Sequence, residues 1–268
     1  KYKDLNNMYT EMFSETTKKD TAINAEGNSA ASLVSELDEV NAELASLCNV
    51  SYNILSSTEL EEVVSRPGRF IIKSLSNNPF YNLALEEYVF NKTPLPIGGR
   101  PFSNERLMFY INDRCVVIGK NQNPWKEVFL EACKAKGYTF VRRRSGGGAV
   151  VHDLGNVNYS FLTSRDNFKR EYFNEIIVKY LNKYQKKLSS VPRVGLNERG
   201  DITLGNKKVS GSAFKIAKGK SYHHGTMLIH SQLSNFKGLL KPDSIPNVTW
   251  DCNSVESVRS DVDNLQGK

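Results

Sequence analysis

Nothing in this 268-residue sequence approaches the roughly 18 consecutive apolar residues that a bilayer-spanning helix needs, so a membrane span is excluded. The four cysteines, Cys48, Cys115, Cys133 and Cys252, are scattered, with no C-x-x-C pair and no histidine at metal-ligand spacing. That scatter argues against a zinc site and a disulfide scaffold and predicts free thiols in a reducing compartment. Neither the G-x-x-x-x-G-K-[ST] nor the G-x-G-x-x-G phosphate motif fits, which removes the two commonest nucleotide-binding designs. No internal repeat occurs.

What is present is an ordinary globular composition with an uneven charge. Apolar residues make up 39% and aromatic residues 10%, enough to build a core at this length. The formal charge of +7 conceals a split. Residues 1–65 carry 4 Lys/Arg against 12 Asp/Glu, a balance of −8, which leaves +15 on residues 66–268. So basic a body suits a polyanionic ligand, an acidic protein surface or nucleic acid.

Residues 1–30 are polar and aperiodic, and are expected to be disordered or loosely attached. Leu33, Leu37, Val40, Leu44 and Leu47 recur at three- and four-residue steps, predicting an amphipathic helix over 31–47. The breaker Ser65-Arg66-Pro67-Gly68 sets the expected boundary between an acidic N-terminal extension, 1–65, and the main domain, 66–268. Within that domain the pattern predicts a strand over 69–75 and a helix over 78–91, capped by Asn78 with Pro79 in its first turn. Strands at 106–111 and 115–119 read as a hairpin about Asn112-Asp113-Arg114. A helix over 125–136, stopped by Gly137, leads to a strand at 138–142. A second hairpin is expected from 149–152 and 156–162 about Gly155. A long helix at 170–188, strands at 201–204, 208–215 and 224–229, and a helix at 232–240 follow. Hairpins instead of regular βαβ units predict an α+β fold, a mostly antiparallel sheet flanked by helices.

The densest chemical signal is Arg142-Arg143-Arg144-Ser145-Gly146-Gly147-Gly148-Ala149-Val150-Val151-His152. Three adjacent glycines let successive backbone N–H groups turn toward one anion, and the arginines add planar, permanent charge. On physics alone this is a phosphate or carboxylate cradle. A second cluster, Lys207-Lys208-Val209-Ser210-Gly211-Ser212-Ala213, puts a lysine at the head of a strand of small residues, where its ammonium can lie along a groove. The pair His223-His224 has no third ligand placed by the sequence, so packing or hydrogen bonding is the reading preferred over metal.

These segments occur together and in one order: VVIGKNQNPWKE (116–127), RRRSGGGAVVHDLGN (142–156), KKVSGSAFKI (207–216), HHGTMLI (223–229) and SVRSDVDNL (257–265). From about Arg69 to Leu265 the sequence resembles the lipoate–protein ligase A and mitochondrial lipoyltransferase family. The resemblance implies a biotin/lipoate-ligase catalytic domain and two half-reactions: lipoate and ATP give lipoyl-adenylate, then the acyl group passes to a lysine of a lipoyl domain. It implies that Arg143 and the backbone of Gly148, Ala149, Val150 and Val151 hold the nucleotide and acyl carbonyl. Lys208 would be the catalytic cation, touching both carbonyl and α-phosphate. Tyr110, Ser145, His152 and His224 would line the acyl pocket, and Asp201 would sit by the nucleotide or its Mg²⁺. Here Gly200 stands before Asp201 where many members have Asn, Val151 replaces a usual aromatic, and Tyr110 stands where bacterial ligases often place Trp. Ligases of the family continue into a small C-terminal accessory domain not contained in residues 66–268, so transfer is a firmer expectation than self-sufficient adenylation.

The resemblance further implies acidic partners, namely the lipoyl domains of 2-oxoacid dehydrogenase acyltransferase subunits and the glycine-cleavage H protein. It also implies a mitochondrial matrix location, with a bacterial cytoplasm as the alternative. An ATP-independent lipoyl or octanoyl transferase, fed by acyl-CoA, acyl-AMP or another lipoyl protein, is the rival within acyl transfer. Relatives that form a thioester place a cysteine ahead of the Asp201–Lys208 segment. Here that stretch is Arg193-Val194-Gly195-Leu196-Asn197, without a thiol, which disfavours an acyl-cysteine route. A nucleic-acid module is set aside because the arginine run abuts glycines instead of alternating with aromatics.

Overall fold

The computed structural model describes residues 57–95, 102–185, 193–241, 249 and 251–266. The helix expected over 31–47 and the tail expected over 1–30 lie outside these residues. The elements run α1 (Ser57–Ser65), β1 (Phe70–Lys73), α2 (Pro79–Lys92), β2 (Arg106–Tyr110), β3 (Cys115–Ile118), α3 (Pro124–Glu127), α4 (Leu130–Ala135) and β4 (Thr139–Arg142). They continue β5 (Val150–His152), β6 (Asn156–Ser164), α5 (Tyr172–Gln185), β7 (Val194–Leu196), β8 (Ile202–Leu204), β9 (Lys207–Ser210), β10 (Ser212–Ala217), β11 (Lys220–Leu228) and a 3₁₀ turn at Leu233–Phe236.

The central sheet has the order β1-β2-β6-β11-β10, antiparallel except for the β1–β2 pair. Two three-stranded sheets, β4-β3-β5 and β7-β8-β9, flank it. The expected α+β class with a mostly antiparallel sheet is therefore what forms. Side chains alternate across the central strands. Met108, Tyr110, Leu162 and Tyr222 face α2 and pack with Ile72, Leu85, Val89 and Phe90. Their neighbours Leu107, Tyr159 and Met227 face Phe173, Ile177 and Tyr180 of α5, with Val194, Ile202 and Val209 of the small sheet. The same alternation turns His224 toward α2. A third core, Val116, Ile118, Val128, Cys133, Tyr138, Val151 and Leu239, sits under β3. Among the described residues no helix is long and apolar enough to cross a membrane.

The Asn78 cap is as expected: its side chain accepts from the Phe80 and Tyr81 amides, with Pro79 opening α2. Several other expectations change. Neither hairpin forms. β2 enters the central sheet and β3 the β4-β3-β5 sheet, because the 111–114 link bonds outward, Asp113 N–H to Asn77 O and Thr139 N–H to Arg114 O. At the second site β5 pairs with β3 while β6 joins β2 and β11. Gly155 is pressed on the 229–231 backbone, where a Cβ would lie 2.1 Å from His230 O, so the turn serves β11 instead of β5. The helix expected over 125–136 splits at Val128, whose extended backbone bridges Leu240 and buries its side chain in the third core. The strand expected over 208–215 breaks at Gly211, with β9 joining β8 and β10 joining β11. The helix expected over 232–240 shrinks to the 3₁₀ turn, ended by Gly238 at φ +76°. β7 was not anticipated.

Arg106 stitches the entry to the domain. It is almost fully buried and donates to the carbonyls of Val64, Arg66, Gly68 and Glu105, joining the end of α1 to β2. Burial pushes its guanidinium down to about 10, still charged at neutral pH. Arg106→Met is expected to leave these carbonyls unpaired and lower the unfolding free energy by about 3 kcal/mol, measured by urea denaturation.

Candidate functional site

The glycine loop, β9, β11 and the segment after Asp251 converge on a cavity of about 360 Å³. Tyr110, Arg143, Gly148, Ala149, Val150, His152, Asp201, Lys208 and His224 all line it. Two expected residues do not. Ser145 stands behind the wall, buried, and Val151 points the other way into the third core, as strand alternation between Val150 and His152 demands.

The loop is held by one buried guanidinium. Arg143 donates from Nε to Ser145 Oγ at 3.0 Å and to Gly146 O at 3.1 Å, and from Nη2 to Gly146 O and Gly148 O at 2.5 and 2.8 Å. A further bond runs to Val117 O. Burial lowers its pKa to about 10, so the charge persists. Gly147 takes φ +83°, which L side chains rarely adopt. Its carbonyl lies against Gly119, where a Cβ would be only 2.0 Å away. In a trans peptide the N–H opposes the preceding carbonyl, so the Gly146 carbonyl held by Arg143 turns the Gly147 N–H away from the guanidinium. Among the described residues the N–H groups of Gly146, Gly147 and Gly148 meet no acceptor. Arg142 pins the preceding turn through the carbonyls of Gly119, Lys120 and Gln122.

Lys208 Nζ lies 3.0 Å from Asp201 Oδ1. Its backbone is clamped in a parallel bridge with Val262, Lys208 N–H to Asp261 O and Asp263 N–H to Lys208 O. Gly211 leaves room for the ammonium, since a Cβ there would sit 2.6 Å from Lys208 Cε. The other oxygen, Asp201 Oδ2, is buried without a partner.

Two histidines complete the wall, each with one nitrogen fixed. His224 Nε2 lies 2.6 Å from Ser145 Oγ, and Nδ1 lies 2.9 and 3.0 Å from the two Glu86 oxygens. Because the Glu86 carboxylate can only accept, Nδ1–H donates to it, and Nε2 then accepts from the Ser145 hydroxyl, whose oxygen accepts from Arg143. His152 is arranged the opposite way. Asn82 Nδ2 faces the carbonyls of Ser76 and Ile111 as well as Asn112 Oδ1, so Asn112 turns its own NH₂ toward His152 Nδ1 at 3.1 Å. His152 Nε2 is buried without a partner. Burial, with Arg143 and His224 nearby, lowers the His152 pKa to about 3, so the ring is neutral and carries its proton on Nε2.

Sequence reasoning missed Glu86, Asn112, Glu127 and Ser257. Ser257 Oγ donates to Glu127 and accepts from Gln122 and from the Ala149 N–H, tying the late segment to the glycine loop. Glu127 and Gln122 lie in the upstream motif and Ser257 opens the last one, so motif membership was the available signal. Arg170 and Arg199, exposed at the cavity mouth, carried none. The arrangement offers free amides and a lysine at one side and Leu83, Val117, Val150 and Ala213 as apolar wall. It suits a ligand with an anionic head and an apolar body.

Comparison with known proteins places the chain in a family. Residues 78–267 match the model for the lipoyl protein ligase A/B catalytic domain. A Saccharomyces cerevisiae protein named "Putative lipoate-protein ligase A" is 48% identical over 273 residues, covering 99% of this chain and 65% of its own length. The human mitochondrial lipoyl amidotransferase is 37% identical over 199 residues, 74% of this chain and 50% of that protein. The chain thus spans two thirds or less of these relatives. Among solved structures, a Plasmodium falciparum protein in complex with lipoate aligns at TM-score 0.56 and 33% identity, covering 70% of this chain and 55% of that one. A lipoate-protein ligase A bound with ATP aligns at TM-score 0.52 and 29% identity, covering 66% and 72%.

Buried neutral histidines make stability depend on pH. His152 and His223 are held at about 3 and about 4, both chiefly by burial, against an ordinary value near 6.5. The unfolded chain therefore binds more protons below that value, and the stabilisation present above it is lost as pH falls. Each histidine contributes a decline of roughly 1.4 kcal/mol per pH unit between about 6.5 and its folded value. Urea titrations at pH 7, 6 and 5 are expected to show a shallower decline for His152→Gln than for the unsubstituted protein.

Proposed function

Because this chain belongs to the lipoyl protein ligase A/B catalytic-domain family, we propose that it attaches a lipoyl or octanoyl group to a specific lysine of a lipoyl domain. The acyl group is activated as an adenylate made from ATP. In the first half-reaction an acid carboxylate oxygen bonds to the α-phosphorus of ATP, the bond to the leaving phosphate breaks, and pyrophosphate departs. In the second, the neutral lysine nitrogen attacks the acyl carbonyl carbon, the bond to AMP breaks, AMP leaves with the electron pair, and the nitrogen loses a proton.

The observation that carries this reading is the placement of Lys208 Nζ and the free Gly146–Gly148 amides around one cavity with an apolar wall. In both steps negative charge grows on the carbonyl oxygen or the α-phosphate, and a fixed cation and fixed N–H dipoles stabilise that charge without reorganising. Arg143 acts by keeping the loop curled, and it faces the cavity itself. Gly148, Ala149, Val150 and Val151 supply the nucleotide-side backbone. Tyr110, Ser145, His152 and His224 form or support the acyl wall, which keeps water from the reactive adenylate. The unpartnered Asp201 Oδ2 fits a Mg²⁺ ion held by one carboxylate together with phosphate oxygens and water, and the metal would neutralise phosphate charge there.

One observation favours a second donor. The Ala149 N–H, expected on the nucleotide, is already taken by Ser257 Oγ, which leaves room for transfer from acyl-CoA or another lipoyl protein, donors that need no adenylate contact there. Partners are proposed to be acidic lipoyl domains of 2-oxoacid dehydrogenase complexes and the glycine-cleavage H protein, steered by the +15 body. A mitochondrial location is proposed with them, supported by the human relative's name, and the matrix is the compartment proposed.

Two tests follow. Lys208→Ala is expected to slow acyl transfer from lipoyl-AMP to a lipoyl domain by at least ~100-fold while the circular dichroism spectrum is unchanged; near-normal turnover would overturn the assignment. Lipoyl-domain mass after incubation with free lipoate plus ATP, lipoyl-AMP or lipoyl-CoA in turn identifies the donor, and the ATP-dependent product is the expected one.

A further inference from the structure

His152 lines the cavity, its ring Nε2 is buried without a partner among the described residues, and a chain of buried amides determines what that nitrogen offers. Ser74 Oγ donates to Asn82 Oδ1 at 2.6 Å, Asn82 Nδ2 donates to Asn112 Oδ1 at 2.8 Å, and Asn112 Nδ2 donates to His152 Nδ1. Asn82 and Asn112 are wholly inaccessible to solvent, and Ser74 and His152 nearly so. Each link fixes the orientation of the next, because the Asn82 NH₂ is anchored by two main-chain carbonyls that can only accept. The relay ends with an N–H donor on His152 Nε2, with nothing to receive it.

Position along the wall says what part of a ligand this donor meets. His152 lies three residues along the strand from Ala149, roughly 10 Å at ordinary strand rise, on the side away from the glycine loop. β5 is antiparallel to β3, with His152 opposite Cys115. An acyl group whose carbonyl is held by the loop and Lys208 would extend its far end toward His152 and the ring of Tyr110, which shares this cavity.

We infer that the Ser74–Asn82–Asn112 relay makes His152 a selector for the far end of the acyl chain, favouring a sulfur-bearing ring over a plain alkyl tail. The inference rests on the acyl-transfer reading above and adds its substrate preference. A saturated tail gives Nε2–H no acceptor and leaves a buried donor unpaired, whereas a ring sulfur accepts weakly and packs well on an aromatic edge. Asn112 is then a positioning residue and His152 the group that touches the ligand.

The test measures binding, so that it is separable from transfer. Calorimetric titration of the full chain with lipoate and with octanoate is expected to show a preference for lipoate of roughly tenfold, the scale set by one unpaired buried donor. His152→Phe keeps a flat ring without the donor and should bring the ratio near one. Asn112→Leu should give an intermediate ratio. Independently, ¹⁵N spectra of the unsubstituted protein at pH 7 are expected to show His152 as the neutral Nε2–H tautomer, and Asn112→Leu should mix the tautomers. An Nδ1–H tautomer, or a lipoate preference unchanged in His152→Phe, overturns the inference. Should the chain discriminate the two acids as stated but modify no lipoyl domain, the transfer reading fails and the selector stands.

Discussion

A single buried guanidinium holds the loop on which the site depends. By drawing the carbonyls of Gly146 and Gly148 toward itself, Arg143 turns the opposed Gly147 and Ala149 amides away from the guanidinium. Its Nε also engages Ser145, whose hydroxyl reaches His224, which in turn reaches Glu86 on α2. The glycine loop, the central sheet and the α2 layer are thereby linked by one hydrogen-bonded line through the protein interior. A loop of three glycines would otherwise lose the most conformational entropy of any segment on folding. The fixed charge is what makes its ordering affordable.

The opposite face of the cavity is set by backbone instead of charge. The chain after Asp251 returns to lie beside β9, clamps Lys208 through Asp261 and Asp263, and plants Ser257 on the Ala149 amide. The missing Cβ at Gly211 leaves space for the Lys208 side chain, and the missing Cβ at Gly225 lets β11 approach Gly211. At Gly225 a Cβ would meet the Tyr159 hydroxyl at 2.3 Å, so the requirement is steric. Lys208 and the free amides are therefore placed by two independent parts of the fold, and their convergence is what gives the cavity an anionic end.

Some of this was legible in the sequence. The Asn78 cap with Pro79 carries its own local physics, and the alternation of apolar residues marked nearly every central strand. The glycine run beside the arginines stood out on its own physics, whereas Lys208, Asp201 and His224 were placed at the site by the family resemblance of the motifs around them. Strand partners did not stand out. β2 and β3 are short, almost wholly buried runs whose pattern is compatible with either sheet, and the 111–114 link that separates them is decided by bonds to Asn77 and Thr139. Gly211 read as part of one strand because a break needs no breaker side chain. Glu86, Asn112 and Ser257 were missed for a related reason, since each acts through a partner 40 to 138 positions away.

For acyl transfer at this site the acyl carbonyl must sit between Lys208 and the glycine amides. A crystal structure of the protein with a non-hydrolysable lipoyl-adenylate analogue tests that most directly. The predicted result places the carbonyl oxygen within hydrogen-bond distance of Lys208 Nζ, the phosphate on the Gly146–Gly148 amides, and the dithiolane ring beside His152. An analogue bound elsewhere, or bound here with the phosphate away from the loop and Lys208 still paired only with Asp201, would contradict it.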